Sequence, residues 1–184
     1  MFERFTPAAR QVVVEAQQKA VAQNAPEITP MHVLLALLTE PANEAGRLLA
    51  RLGVSVQDVV REAAAEVERV RRRGGITEAD VRALDELGID VDQIIDRLEQ
   101  THGPNPFATA QPVRGKRGHL PFADDSKKSL ELSVREVAEM GGRELGPEHI
   151  LLALAVLRGP AADVLARFEI DAPRLRRALA APGD

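Results

Sequence analysis

The stretch "ITPMHVLLAL" at 28–37 is written again, nearly letter for letter, as "LGPEHILLAL" at 145–154. The same shift of 117 residues lays Phe5 on Phe122, Arg10 on Lys127, Pro30 on Pro147 and His32 on His149. After a one-residue gap, "LARLGV" (49–54) meets "LARFEI" (165–170). Self-similarity at a fixed offset marks a duplicated structural unit, and it constrains the fold more than any local propensity. The expected organisation is one unit over 1–72, a second over 119–184, and an inserted segment over 73–118.

Each unit reads as four helices. Thr6 can cap the first and Pro7 can open it, with Ala9, Val12, Val13, Ala16 and Ala20 forming one stripe at helical spacing. Thr29-Pro30 starts the next by the same device, and "VLLALL" is apolar on every side, so this helix should be central and buried. Ala45, Leu48, Leu49 and Leu52 mark a third helix, closed by Gly53. Ser55, with Asp58 three residues on, opens a fourth in a capping-box pattern, carrying Val56, Val59, Val60, Ala63 and Val67.

The second unit repeats the plan. A helix follows Phe122 and runs to Met140 with Leu130 and Val137 inward. Gly146-Pro147 starts the buried helix, Pro160 the third and Pro173 the fourth. Glycine at the position of the Thr29 cap costs little. In the insertion, Thr77 with Asp80 caps one short helix, and Ile94, Ile95 and Leu98 share a face of another. "GPNPFATAQPVRGKRGHLP" has no periodicity and reads as an exposed mobile loop. The apolar content is aliphatic, with five Phe and neither Tyr nor Trp, and no strand pattern is present. The fold class is all-α.

Chemistry is sparse. With no cysteine there is no disulfide, thiol nucleophile or thiolate metal site, which fits a reducing, cytoplasmic setting. "MFERFTPAAR" has no apolar run of the kind a secretory signal needs, and no stretch approaches a membrane span. Gly115-Lys116 is not followed by Ser or Thr and does not lead into a helix, so it is not a phosphate loop. The histidines 32, 102, 119 and 149 form no metal-ligand pattern; His32 and His149 read as structural residues near helix starts, and Glu148 and His149 as neighbours that point apart. Ser55, Ser126, Ser129 and Ser133 have capping or packing readings rather than a place in a triad. No catalytic residue, cofactor or metal is expected.

Arg114, Lys116 and Arg117 could meet an acidic partner or nucleic acid, but no aromatics interleave them and the net charge is -4, so a solvated loop is the better reading. "RVRRR" at 69–73 ends a helix, where cations suit the dipole. Phe2 is either a tucked anchor or part of a binding surface. A carboxylate at Glu148, in a first helical turn, is favourable by roughly 0.3–1 kcal/mol; alternatively it pairs with a guanidinium while nearby amides receive an anion.

The two units resemble the paired repeats of the Clp amino-terminal (Clp R repeat) domain. "MFERFTPAARQVVVEAQ" is similar to the opening of the ClpC domain, and "GHLPFADDSKKSLELSVREVAEMGGRELGPEHILLALAVLRG" to its second repeat. The resemblance covers 1–72 and 119–180, and the chain resembles the stand-alone actinobacterial Clp-repeat proteins with an inserted helical segment. It implies a pseudo-twofold eight-helix bundle that docks substrates and adaptors without catalysis. It implies further that the glutamate of each helix start recognises phosphoarginine, here kept as Glu148 and replaced by Met31. It places a cyclic-peptide groove between the repeats, lined by Phe2, Arg10, Val13, His119, Phe122, Lys127 and Glu131. "FADD" departs from the family's "FTPR", making that rim more acidic at Asp124 and Asp125. The implied partners are degron peptides or phosphoarginine-bearing proteins, cyclic peptide antibiotics, and a ClpC-type unfoldase or its adaptors, with no nucleic acid and no membrane. Two other readings are the amino-terminal part of an ATP-dependent Clp protease ATP-binding subunit, and a small helical nucleic-acid-binding regulator.

Overall fold

Helix entry by cap and proline is what the chain does. In the computed structural model, which describes residues 2–104, 106–107 and 120–181, a 3-10 turn at Phe2–Arg4 precedes α1 (Pro7–Ala22). Thr6 Oγ1 accepts from the Ala9 amide at 3.2 Å, and Ala9, Val12, Ala16 and Ala20 are buried while Val13 lies half-buried against the core. α2 (Pro30–Leu37) is buried from Met31 to Leu37. α3 (Glu44–Arg51) is capped by Asn43, whose Oδ1 accepts from Gly46 N at 2.9 Å. Gly53, at φ +74°, turns the chain out of it. α4 (Val56–Arg72) takes its cap from Ser55 Oγ, 3.3 Å from Asp58 N. The Asp58 carboxylate pairs with Arg61.

The second unit supplies α7 (Asp124–Glu139), α8 (Pro147–Val156), α9 (Pro160–Arg167) and α10 (Ala172–Ala180). Leu130 and Val137 face inward, and α10 is capped by Asp171, one residue before the helix begins at Ala172. Between the units lie α5 (Glu78–Glu86) and α6 (Val91–His102). Thr77 and Asp80 form a reciprocal capping box, with Thr77 N donating to Asp80 Oδ2 at 2.9 Å. On α6 the buried pair is Val91 and Ile95, while Ile94 is 46% exposed. Successive helical residues lie about 100° apart, so Ile94 and Ile95 could not both face inward. All described regular structure is helical.

The two units are not separate bundles. Phe5 makes a parallel bridge to Leu145, and Phe122 one to Ile28. Because 5 and 122, like 28 and 145, are equivalent under the duplication, each repeat's entry segment pairs with the other repeat's approach to its buried helix. The bonds are short: Thr6 N to Leu145 O 2.9 Å and Leu145 N to Arg4 O 2.7 Å, mirrored by Ala123 N to Ile28 O 3.0 Å and Ile28 N to Pro121 O 2.8 Å. Ser126 Oγ adds a bond to Ile28 O at 2.7 Å. The helices exchange likewise: α3 packs on α8 and α9 on α2, while α2 and α8 meet at the centre. Leu34, Leu37, Leu151, Leu152 and Leu154 fill this shared core, each contributing roughly 1.5–3 kcal/mol by leaving water.

The arginines closing α4 do more than complement its dipole. Arg72 holds Asp96 and Glu99, and Arg73 holds Glu78 and Asp92, tying α5 and α6 to the end of α4. Arg69 joins Glu62 and Glu66, and Arg167 of α9 reaches the same two carboxylates. Glu66 is only 1% exposed, a burial that two guanidiniums offset.

Candidate functional site

The reciprocal bridges create two equivalent corners. In one, Arg4-Phe5-Thr6 at the head of α1 lies against Leu145-Gly146 at the head of α8; in the other, Pro121-Phe122-Ala123 at the head of α7 lies against Ile28-Thr29 at the head of α2. Histidine organises both buried helix starts from the third helical position, where glutamate or glutamine completes an ordinary capping box. Thr29 N donates to His32 Nδ1 at 2.9 Å, and Thr29 Oγ1 lies 2.8 Å from the same nitrogen. With Nδ1 accepting, the proton sits on Nε2 and donates to Gln23 Oε1 at 3.1 Å. Burial drives the His32 pKa down to about 4. Gly146 N donates to His149 Nδ1 at 3.1 Å. The structural reading of both histidines is therefore the one the structure shows.

The corners differ at the residue next to the proline. Met31 is 5% exposed and belongs to the hydrophobic core. Glu148, its counterpart, folds back over the helix start, with Oε1 3.0 Å from His149 Nδ1. The two side chains touch, contrary to the expectation that they point apart, because Gly146 leaves room for the carboxylate at the cap. Glu148 Oε2 is closed off from solvent and has no hydrogen-bond partner among the described residues. A buried carboxylate oxygen without a donor is costly, so the group gains by meeting a strong donor.

The residues expected to line the inter-repeat groove sit on the two equivalent helices and their entries. Arg10 and Val13 are on α1, and Lys127 and Glu131 on α7. Phe122 is at the bridge to Ile28. Arg10, Lys127 and Glu131 are exposed, whereas Val13 and Phe122 are half-buried on the common core. Lys127 pairs with Asp124 at 2.9 Å and holds that carboxyl below its usual range; Lys128 pairs with Asp125 at 2.9 Å. His119, the side chain of Phe2, and Arg114, Lys116 and Arg117 lie outside the described residues, as does most of the expected loop.

A cavity of about 620 Å³ opens elsewhere, between α5 and the α8–α9 corner, with Arg82, Ala83, Val156, Arg158, Ala162 and Asp163 among its walls. Periodicity and caps carry no sign of it, since α5 has no buried residue and its packing partner is remote in the chain. The serines resolve as packing groups: Ser129 Oγ and Ser133 Oγ donate to carbonyls one turn back, at 2.8 and 2.7 Å. Among the described residues no three His, Asp or Glu side chains are grouped to hold a metal, and no single helix is long and apolar enough to cross a membrane.

Exchanged helical repeats with histidine-capped central helices define the class of fold, and comparison with known proteins gives the family. The Clp repeat (R) N-terminal domain matches residues 4–83 and 75–168, and the chain belongs to that family. An uncharacterized Mycobacterium tuberculosis protein is 33% identical over 156 residues, 85% of this chain and 44% of that protein. The ATP-dependent Clp protease ATP-binding subunit ClpA homolog of Guillardia theta is 28% identical over 177 residues, 96% of this chain and 16% of the homolog. The chain thus spans less than half the length of either relative. The N-terminal domain of the chaperone ClpD from Arabidopsis thaliana superposes with a TM-score of 0.53 at 22% identity, covering 97% of this chain and 93% of that domain. The Hsp104 N-terminal domain from Candida albicans gives 0.59 at 15% identity, covering 96% and 89%. Both share the fold.

Proposed function

We propose that this Clp-system module is a non-catalytic receptor for peptides and adaptors. Its ligands would be degrons, phosphoarginine-bearing segments or cyclic peptides, and it would modulate a ClpC-type unfoldase by competing for such ligands or delivering them. In this reading 1–72 and 119–184 are the docking repeats and 73–118 an insertion between them. The observation that carries it is the Glu148 carboxylate at the α1–α8 corner, with one buried oxygen lacking a donor. A guanidinium supplies two parallel donors to a carboxylate, and a phosphate attached to it would lie at the positive end of the α8 dipole. At the other corner Met31 is buried in the core, and its apolar side chain gives a guanidinium nothing to pair with.

Calorimetric titration of a phosphoarginine peptide tests this directly. Wild type should bind and Glu148→Ala should lose most of the affinity; silence from wild type removes the phosphoarginine ligand. For the groove, Phe122→Ala, Phe2→Ala and Lys127→Ala should each weaken a cyclic peptide, and unchanged affinity in all three would remove that surface.

A further inference from the structure

We infer that Gly146 sets the position of the Glu148 carboxylate, which in the free protein lies retracted over the start of α8 and must be drawn out by its ligand. The ligand in this inference rests on the phosphoarginine reading above; the geometry does not. A Cβ added at Gly146 would overlap both carboxylate oxygens of Glu148. Gly146 has φ -96°, an ordinary backbone that needs no glycine, so the smallness of this residue serves space and not torsion. The equivalent residue of the first repeat is Thr29, whose side chain fills its cap position and lies 2.8 Å from His32 Nδ1. There the residue two positions on is Met31, buried in the core. The two corners therefore differ by a paired exchange, Thr with Met in one and Gly with Glu in the other. The glutamate takes up the room the missing threonine leaves, 3.0 Å from the histidine nitrogen that threonine would otherwise approach.

The retracted position is only weakly held. His149 Nδ1 accepts from the Gly146 amide and cannot at the same time donate a proton to Glu148 Oε1. Glu148 Oε2 has no partner among the described residues. Leaving it costs little, and a guanidinium at the corner restores donors to both oxygens. Retraction acts as a built-in competitor: observed affinity is the intrinsic affinity reduced by the fraction of molecules with the carboxylate extended.

Gly146→Thr writes the first repeat's cap into the second and denies Glu148 its retracted position. With a phosphoarginine peptide as the calorimetric probe, Gly146→Thr should bind about threefold tighter than wild type or better, and Gly146→Ala, which adds only the Cβ, should shift the same way. Unchanged or weaker affinity in both variants, with peptide binding intact in wild type, overturns the inference. Thermal unfolding separates this failure from failure of the ligand reading. With alanine already in place of Glu148, the new threonine fills an empty cap; with Glu148 present, it must evict a carboxylate. Gly146→Thr should therefore raise Tm more in the Glu148→Ala background than in wild type. Equal Tm changes in the two backgrounds overturn the retracted position even if no peptide binds either protein.

Discussion

Mild acid should weaken this fold, and His32 is the reason. The imidazole is 4% exposed, accepts from Thr29 N and donates to Gln23, and burial lowers its pKa from 6.5 to about 4. A base whose folded pKa is depressed binds its proton more readily when unfolded, so stability falls as pH drops through 6.5 and the loss is complete near 4. The full difference corresponds to about 3 kcal/mol at 1.36 kcal/mol per pH unit. Between pH 7.5 and 5.0 the wild type should lose about 2 kcal/mol of unfolding free energy. The carboxylates held low by partners, such as Glu62 beside Arg69 and Asp80 beside Thr77, lose their stabilisation only as pH falls below their unfolded values, outside this window. His32→Gln keeps an acceptor for Thr29 N at the capping-box position but cannot be protonated. Urea unfolding at intervals from pH 7.5 to 5.0 should give a sloping wild type and a nearly flat His32→Gln. Parallel curves, or a His32 titration midpoint near 6.5 by NMR, would refute the reasoning.

Two backbone positions give further tests. Gly46 in α3 lies so close to the Pro41 peptide that a Cβ would sit 2.7 Å from the Pro41 carbonyl carbon; since backbone cannot give way, Gly46→Ala should cost about 2–3 kcal/mol in chemical denaturation. Glu169, the counterpart of Gly53, holds φ +58° where Gly53 holds +74°. Glu169→Gly should relieve that conformation and stabilise by about 0.5–1 kcal/mol, readable as a raised urea midpoint with an unchanged slope.

What the sequence made legible is what local periodicity and caps encode. α1, α2 and α8 follow from stripes and cap-proline starts and α7 from its stripe, and their buried faces are those the spacing requires. The spacing Thr29-x-x-His32, repeated as Gly146-x-x-His149, also carried a signal for the histidine caps, legible once histidine is admitted to the position usually held by glutamate. The exchange between repeats was not encoded in this way. A duplicated unit fits two bundles side by side as well as two that trade entry segments, because Phe5 and Phe122 present the same local pattern whether Leu145 or Ile28 is their partner. Contact between Glu148 and His149 escaped for a related reason: helical projection points adjacent side chains apart, but a flexible carboxylate beside a glycine can fold back past the helix start.

The exchanged frame also explains how two copies could diverge without unfolding. Four of the bonds that join the repeats at Phe5, Leu145, Ile28 and Phe122 are main-chain bonds, indifferent to side-chain identity. The side chains that must persist are those that fill the core or cap its central helices, and His32 and His149 persist in both copies. The position held by Met31 in one copy and Glu148 in the other is different. Its side chain lies at a helix start, where it can turn inward to join the core, as Met31 does, or lie over the cap, as Glu148 does. Exchange there alters the chemistry of one corner and leaves the frame intact. Under the proposed function, that freedom lets one half keep an ion-pairing corner while the other contributes its volume to packing.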